Sequence, residues 1–223
     1  MDFFEFTFGQ TFLNTPINAQ KSKNFYNEKW LYLIGGIHGE EIEGIYLITE
    51  IISWLKESTE LTFPCLAISV LDVDGYTYQD QILPNKVNLN NMFPTSALRS
   101  VDVTSKVNSI NTLRPEVLSL IKALREYPPQ LVINFRTAHT SPKIISVGDD
   151  AISSATFLSK TIGYPLISDN RPSPSTLEAF IYDFFLCPII TIRLPHYSNS
   201  KTVKDIFNEN IKGFRQLFSG QIY

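Results

Sequence analysis

Apolar, strand-like runs alternate with amphipathic helical ones along most of this chain, and that alternation restricts its fold more than any other feature. "WLYLIG" (30–35) reads as a buried strand, and "EEIEGIYLITEIISWLKE" (40–57) follows with Ile42, Ile45, Tyr46, Ile52 and Leu55 spaced along one helix face. "FPCLAISVL" (63–71) is a second strand, and "LRPEVLSLIKALREY" (113–127) is a helix that tolerates Pro115 in its first turn. "PPQLVINF" leads into a third buried strand. Residues 149–161 read as helix, "YPLIS" as a short extended piece, and "SPSTLEAFIYDFF" as a helix with a Ser/Thr start signal. "CPIITIRLP" is strand again, and "VKDIFNENIKGFRQLF" closes as an amphipathic helix. The expectation is one α/β domain over residues 1–223, with a mixed, mostly parallel sheet and helices on both faces. No repeat, linker or low-complexity tract marks a boundary, and 223 residues suffice for one core. The irregular stretch "DVDGYTYQDQILPNKVNLNNMFPTS" is long enough to be a functional loop.

A formal charge of −3 gives no broad basic field, so nucleic acid is not expected as a partner. The N-terminus "MDFFEFTFGQTF" lacks the basic region of a secretory signal, and no apolar run is long enough to span a bilayer. A cytoplasmic protein without membrane contact is expected. Cys65 and Cys187 lie far apart inside apolar runs, where free buried thiols are expected rather than a disulfide.

The chain has three histidines, and one stands in "LIGGIHGEEIEG". The glycines there allow a sharp turn from strand end to helix start, which presents His38 and Glu41 together at the crevice edge where α/β sheets bind ligands. Imidazole plus carboxylate suits Zn²⁺, and a catalytic zinc commonly takes a third protein ligand. His139 in "FRTAHTSP", just past the third strand, is the candidate. A lone His-x-x-Glu is a weak signal that structural residues often produce; the glycine turn and the second strand-end histidine strengthen it. His196, after Pro195 at another strand end, reads as a surface histidine with the same crevice as the alternative.

These motifs resemble the zinc carboxypeptidases, most closely the short bacterial branch of murein peptide amidases, over most of the chain. "GGIHGEEIEG" is similar to the family's GG-x-HG-D/E-E-x-x-G, which implies His38 and Glu41 as first ligands; "TAHTSP" resembles the segment with the last, here His139. "LDVDGY" is similar to its Asn-Pro-Asp-Gly turn, "VNLNNMFP" to its Val-Asp-Leu-Asn-Arg-Asn-Phe-Pro, and "TIRLP" to its Thr-x-Glu-Leu-Pro. The resemblance implies Zn²⁺ as cofactor and a small peptide or amide, murein peptides among them, as substrate. The neighbouring acylase branch, succinylglutamate desuccinylase and aspartoacylase, shares the fold and metal site.

The same motifs differ at working positions. Arg193 stands where the resemblance implies a glutamate that serves as general base, and a guanidinium takes no proton at neutral pH. Asn90 keeps a substrate-binding amide, Asn91 replaces a carboxylate-gripping arginine, and Gln81 falls near a carbonyl-polarising one. An arginine beside zinc calls for a neighbouring acid, with Glu178, Asp149 and Asp150 as candidates; Glu178 is also the alternative base. Arg193 reaching out to solvent is an equal reading. The expected function is a zinc-dependent carboxypeptidase- or amidase-type hydrolase with impaired catalysis. The alternative is a non-catalytic zinc-binding regulatory or peptide-binding protein, a pseudoenzyme on the same fold.

Overall fold

A computed structural model describes residues 2–23, 29–58, 63–78, 87–95, 113–198 and 201–221. In chain order the main elements are β1 (Phe3–Gln10), β2 (Pro16–Ser22), β3 (Trp30–Ile34), α1 (Ile42–Glu57), β4 (Cys65–Ile68) and α2 (Val73–Thr77). After a 3-10 turn at Leu89–Asn91 come α3 (Pro115–Glu126), β5 (Pro129–Thr137), β6 (Lys143–Val147) and α4 (Ile152–Ile162). β7 (Leu166–Ser168), α5 (Leu177–Phe185), β8 (Ile189–Leu194) and α6 (Val203–Gln216) complete them.

The strands form one eight-stranded sheet in the order β1-β2-β4-β3-β5-β8-β6-β7. Its centre, β4-β3-β5-β8, is parallel; β2 and β6 run against their neighbours β4 and β8. Every residue of β3 is buried, which follows from helices on both faces. Leu31, Leu33, Ile133, Phe135 and Ile192 pack under α1, α4 and α6, against Leu47, Ile51, Leu158 and Phe214. Tyr32, Ile34, Val132 and Ile189 face α3 and α5, against Leu120, Leu124, Leu177 and Phe180. Each such side chain, fully buried, contributes about 1.5–3 kcal/mol, so these layers fix where the strand ends point.

The expected mixed α/β sheet is therefore present. Three features were not expected from the sequence: the N-terminal β1–β2 hairpin, the short β6, and α2, which falls in the stretch read as an irregular loop. Among the described residues no helix is long and apolar enough to cross a membrane. Cys65 and Cys187 are both free and buried; burial pushes the Cys187 thiol up to about 12, far from a reactive thiolate at neutral pH.

Two aspartates lock the end of the sheet that carries the motifs. Asp72 caps α2 by accepting from Gly75 N at 2.9 Å, and its neighbour Asp74 accepts from Thr11 Oγ1 at 2.8 Å, Thr15 Oγ1 at 2.7 Å and Leu13 N at 3.1 Å. "LDVDGY" is thus a structural knot that ties the hairpin to the turn ahead of α1. Gly39 lies so close to α2 that a Cβ there would stand 1.9 Å from Tyr76 N, so only glycine fits.

Candidate functional site

The β3–α1 turn positions His38 and Glu41. Gly36 takes φ +55°, and its carbonyl accepts from Asp72 N at 2.7 Å. The turn closes as Glu41 N donates to His38 O at 3.0 Å. Glu41 is only 4% exposed and makes no side-chain cap on α1. Its carboxylate turns instead to β5, where Arg136 Nε donates to both oxygens at 3.0 and 2.8 Å.

Arg136 also brings Nη2 to 2.9 Å from His38 Nδ1, which lies 3.3 Å from Glu41 Oε1. A guanidinium nitrogen only donates, so the shorter contact makes Nδ1 an acceptor and leaves the imidazole proton on Nε2, 2.7 Å from Asn88 Oδ1. In the protonated ring Nδ1 would instead donate to Glu41, and that hydrogen bond raises the His38 pKa above the ordinary value, against burial and the Arg136 charge. Protonating His38 and holding Arg136 against Nδ1 therefore exclude each other. Burial alone would raise the Glu41 carboxyl, but His38 and Arg136 outweigh it and hold the pKa below the usual carboxylate range.

The expected ligand set His38, Glu41 and His139 is only half assembled. His38 and Glu41 are in contact, whereas His139 is exposed in the turn after β5, and the groups within hydrogen-bond reach of the pair are Arg136 and Asn88. Among the described residues no three His, Cys, Asp or Glu side chains could hold a metal ion together. The reason is register: β5 continues through Arg136 and Thr137, paired with Arg193 and Leu194 of β8, so Arg136 rather than His139 reaches the turn. Zinc does not fit this arrangement, because the two donors present are joined by a cation with no lone pair to give.

Arg193 lies half-buried on the β8 strand end. Burial and the Arg136 charge hold its pKa below the ordinary value, partly offset by Glu178 and Glu41. None of the expected acids pairs with it within 4.0 Å among the described residues. Glu178 is buried and commits Oε1 to Asn134 Nδ2 at 3.0 Å and Thr191 Oγ1 at 2.8 Å. Asp149 and Asp150 line a pocket with Pro129 and Pro188, at the opposite ends of β5 and β8 from Arg193. They are too far along the strands to pair with it.

Asn90 is buried against the start of α5, its Oδ1 accepting from Leu177 N at 3.2 Å, and it lines a small pocket with Thr191 and Arg193. Asn91 is exposed. Gln81 lies outside the described residues. His196 is 65% exposed at its side chain, as a surface histidine should be, yet Nδ1 donates to the buried Glu43 at 2.7 Å. Glu43 also accepts from Tyr197 N at 2.8 Å and Thr137 Oγ1 at 2.6 Å. Sequence reasoning missed Arg136, Asn88 and Glu43; a signal existed for Arg136 alone, a charged residue directly after the apolar run "LVINF".

The fold recurs in solved structures at low identity. The murein-tripeptide amidase MpaA from Escherichia coli O157 is 15% identical with a TM-score of 0.68, over 96% of this chain and 91% of that one. A metallo-carboxypeptidase from Burkholderia cenocepacia is 12% identical with a TM-score of 0.73, over 97% of this chain and 63% of that one. The carboxypeptidase A from Helicoverpa armigera is 13% identical with a TM-score of 0.70, over 98% and 69%. No curated protein matches the chain by sequence. Residues 27–167, more than half of the chain, match the succinylglutamate desuccinylase/aspartoacylase catalytic domain. The chain therefore belongs to the succinylglutamate desuccinylase/aspartoacylase catalytic-domain family.

Proposed function

We propose that this chain is a non-catalytic member of its family, which binds a small peptide or amide on the hydrolase scaffold without turning it over. The observation that carries this reading is the Arg136 guanidinium, which engages both Glu41 oxygens and His38 Nδ1. Zinc in such a fold would polarise a carbonyl and lower the pKa of bound water, and it needs those same lone pairs. Arg193 adds a second cation where the resemblance implies a base, and Glu178 Oε1 is already committed to two hydrogen bonds. The position that the resemblance assigns to the general base therefore carries no proton acceptor. Asn90 and the hydroxyls beside it still offer polar contacts to a ligand.

A second reading, an impaired zinc-dependent hydrolase of peptides or acyl amino acids, is favoured by the retained His38–Glu41 contact. It requires a metal to displace Arg136. Metal analysis of the purified chain, with hydrolysis assays on a murein tripeptide and N-succinylglutamate, separates the two. The expected result is zinc far below one equivalent and no turnover. Stoichiometric zinc, with hydrolysis abolished by His38→Ala, would overturn the proposal.

A further inference from the structure

The face of the sheet under α5 changes character along its strands. Val132, Ile189 and Val147 are register partners across β5, β8 and β6; the next row is Asn134, Thr191 and Ile145; the last is Arg136, Arg193 and Lys143. Three cations thus stand abreast on neighbouring strands, with side chains on one face. Like charges directly opposite in a sheet destabilise it, so such a row needs compensating anions. Glu41 supplies one to Arg136 through Nε. The compensation is incomplete: Glu178 and Glu41 only partly offset Arg193, and Arg136 is 2% exposed with its Nη1 buried and without a hydrogen-bond partner among the described residues. No acid lies within 4.0 Å of Arg193 or Lys143 among the described residues.

We infer that the Arg136–Arg193–Lys143 row is a binding site for a small oxyanion, a carboxylate or phosphate group carried by the ligand. Guanidinium forks match the planar and tetrahedral oxygens of these groups, and an orphaned buried N–H donor is satisfied by such an acceptor. A pocket of about 120 Å³ opens at Arg193, where Asn90, Ser173, Thr176 and Thr191 add neutral polar groups. Its acids are Glu178, whose Oε1 is held by Asn134 and Thr191, and Asp169. Arg136 and Lys143 flank Arg193 on the two neighbouring strands, outside the lining of this pocket. The inference shares the Arg136 placement with the proposed function but reads binding rather than metal content, so the two fail separately.

The test is calorimetric titration and thermal unfolding of the full chain with sodium phosphate and with sodium acetate, each against sodium chloride at equal ionic strength. At least one of the two oxyanions should bind and raise the unfolding midpoint beyond chloride, and the one that binds identifies the group. Arg193→Gln should weaken that binding by about tenfold or more and, without anion, unfold no earlier than wild type because a like-charge neighbour is gone. Arg136→Gln is avoided, because it strands Glu41. Lys143→Gln is the second variant and should weaken binding by a smaller factor. Neither oxyanion outperforming chloride, or unchanged binding in both variants, would overturn the site.

Discussion

Glu41 and Arg136 form a buried ion pair, 2.8 Å between Oε2 and Nε, with side-chain exposures of 5% and 3%. Both charges have left water, so each depends on the other. Arg136→Met or Glu41→Met alone should destabilise the fold by about 3–5 kcal/mol, whereas the double substitution should recover most of that loss. Chemical denaturation of the three variants measures the coupling, and simple additivity would show that the pair does not act as a unit.

Arg136→His tests whether the guanidinium is what keeps zinc away. Nε of arginine and Nε2 of histidine lie the same number of bonds from Cα, so an imidazole there can approach Glu41 where Arg136 Nε now does, beside His38. The variant should acquire zinc in competition with a colorimetric chelator, while wild type does not. His139→Ala, at an exposed position, should leave either metal content unchanged. Zinc uptake by wild type that His139→Ala abolishes would reverse this assignment.

Acid should unlock the same pair. The Glu41 pKa is held below its unfolded value of 4.5, so ionised Glu41 binds fewer protons folded than unfolded in that window. Its stabilising contribution is complete above the unfolded value and is lost as pH falls through the lower folded one. Denaturant midpoints from neutral pH downward should therefore fall more steeply for wild type than for Glu41→Gln. Parallel curves would mean that Glu41 is not stabilised as the anion.

Glu43→Ala should be costly away from any chemistry. Its side chain is fully buried and accepts from Thr137, His196 and the Tyr197 backbone, so removal leaves these donors to find water. A loss of about 2–4 kcal/mol is expected, with His196→Ala costing much less because its imidazole is mostly solvated. Equal losses would place the weight on the histidine instead.

The central strands were legible in the sequence because burial on both faces leaves apolar runs, unbroken in Trp30–Ile34 and interrupted only by Thr191 in Ile189–Ile192. The α1 helix was legible from its apolar spacing. The hairpin was not: β2 is the polar run "PINAQKS", and β1 exposes half its residues, although Phe4, Phe6 and Phe8 form a period-two ring ladder. In the site, "GGIHGEE" correctly marked the turn that joins His38 to Glu41. In the structure Arg136, not His139, stands against the pair, for a tertiary reason. The apolar run ends at Phe135, so the strand seemed to stop there and His139 to follow it closely; but Arg136 and Thr137 extend the strand because Glu41 and Glu43 wait across from them. A carboxylate contributed by another element leaves no mark in local hydropathy.

The position of β8 between β5 and β6 has one more consequence. β5 runs parallel to β8 and β6 antiparallel, so the chain between them, residues 138–142, must arch over the end of β8, where Ala138 N donates to Leu194 O at 2.7 Å. Two sheet spacings, about 9.6 Å, are a short crossing for a span with a reach of about 3.3 Å per residue. The arch therefore has slack. Residues added at Thr140 or Ser141, both exposed, would lengthen the arch over the end of β8 without shifting any strand. The arch is therefore a place where a foreign loop can be grafted while the hydrogen-bonded ladder stays intact.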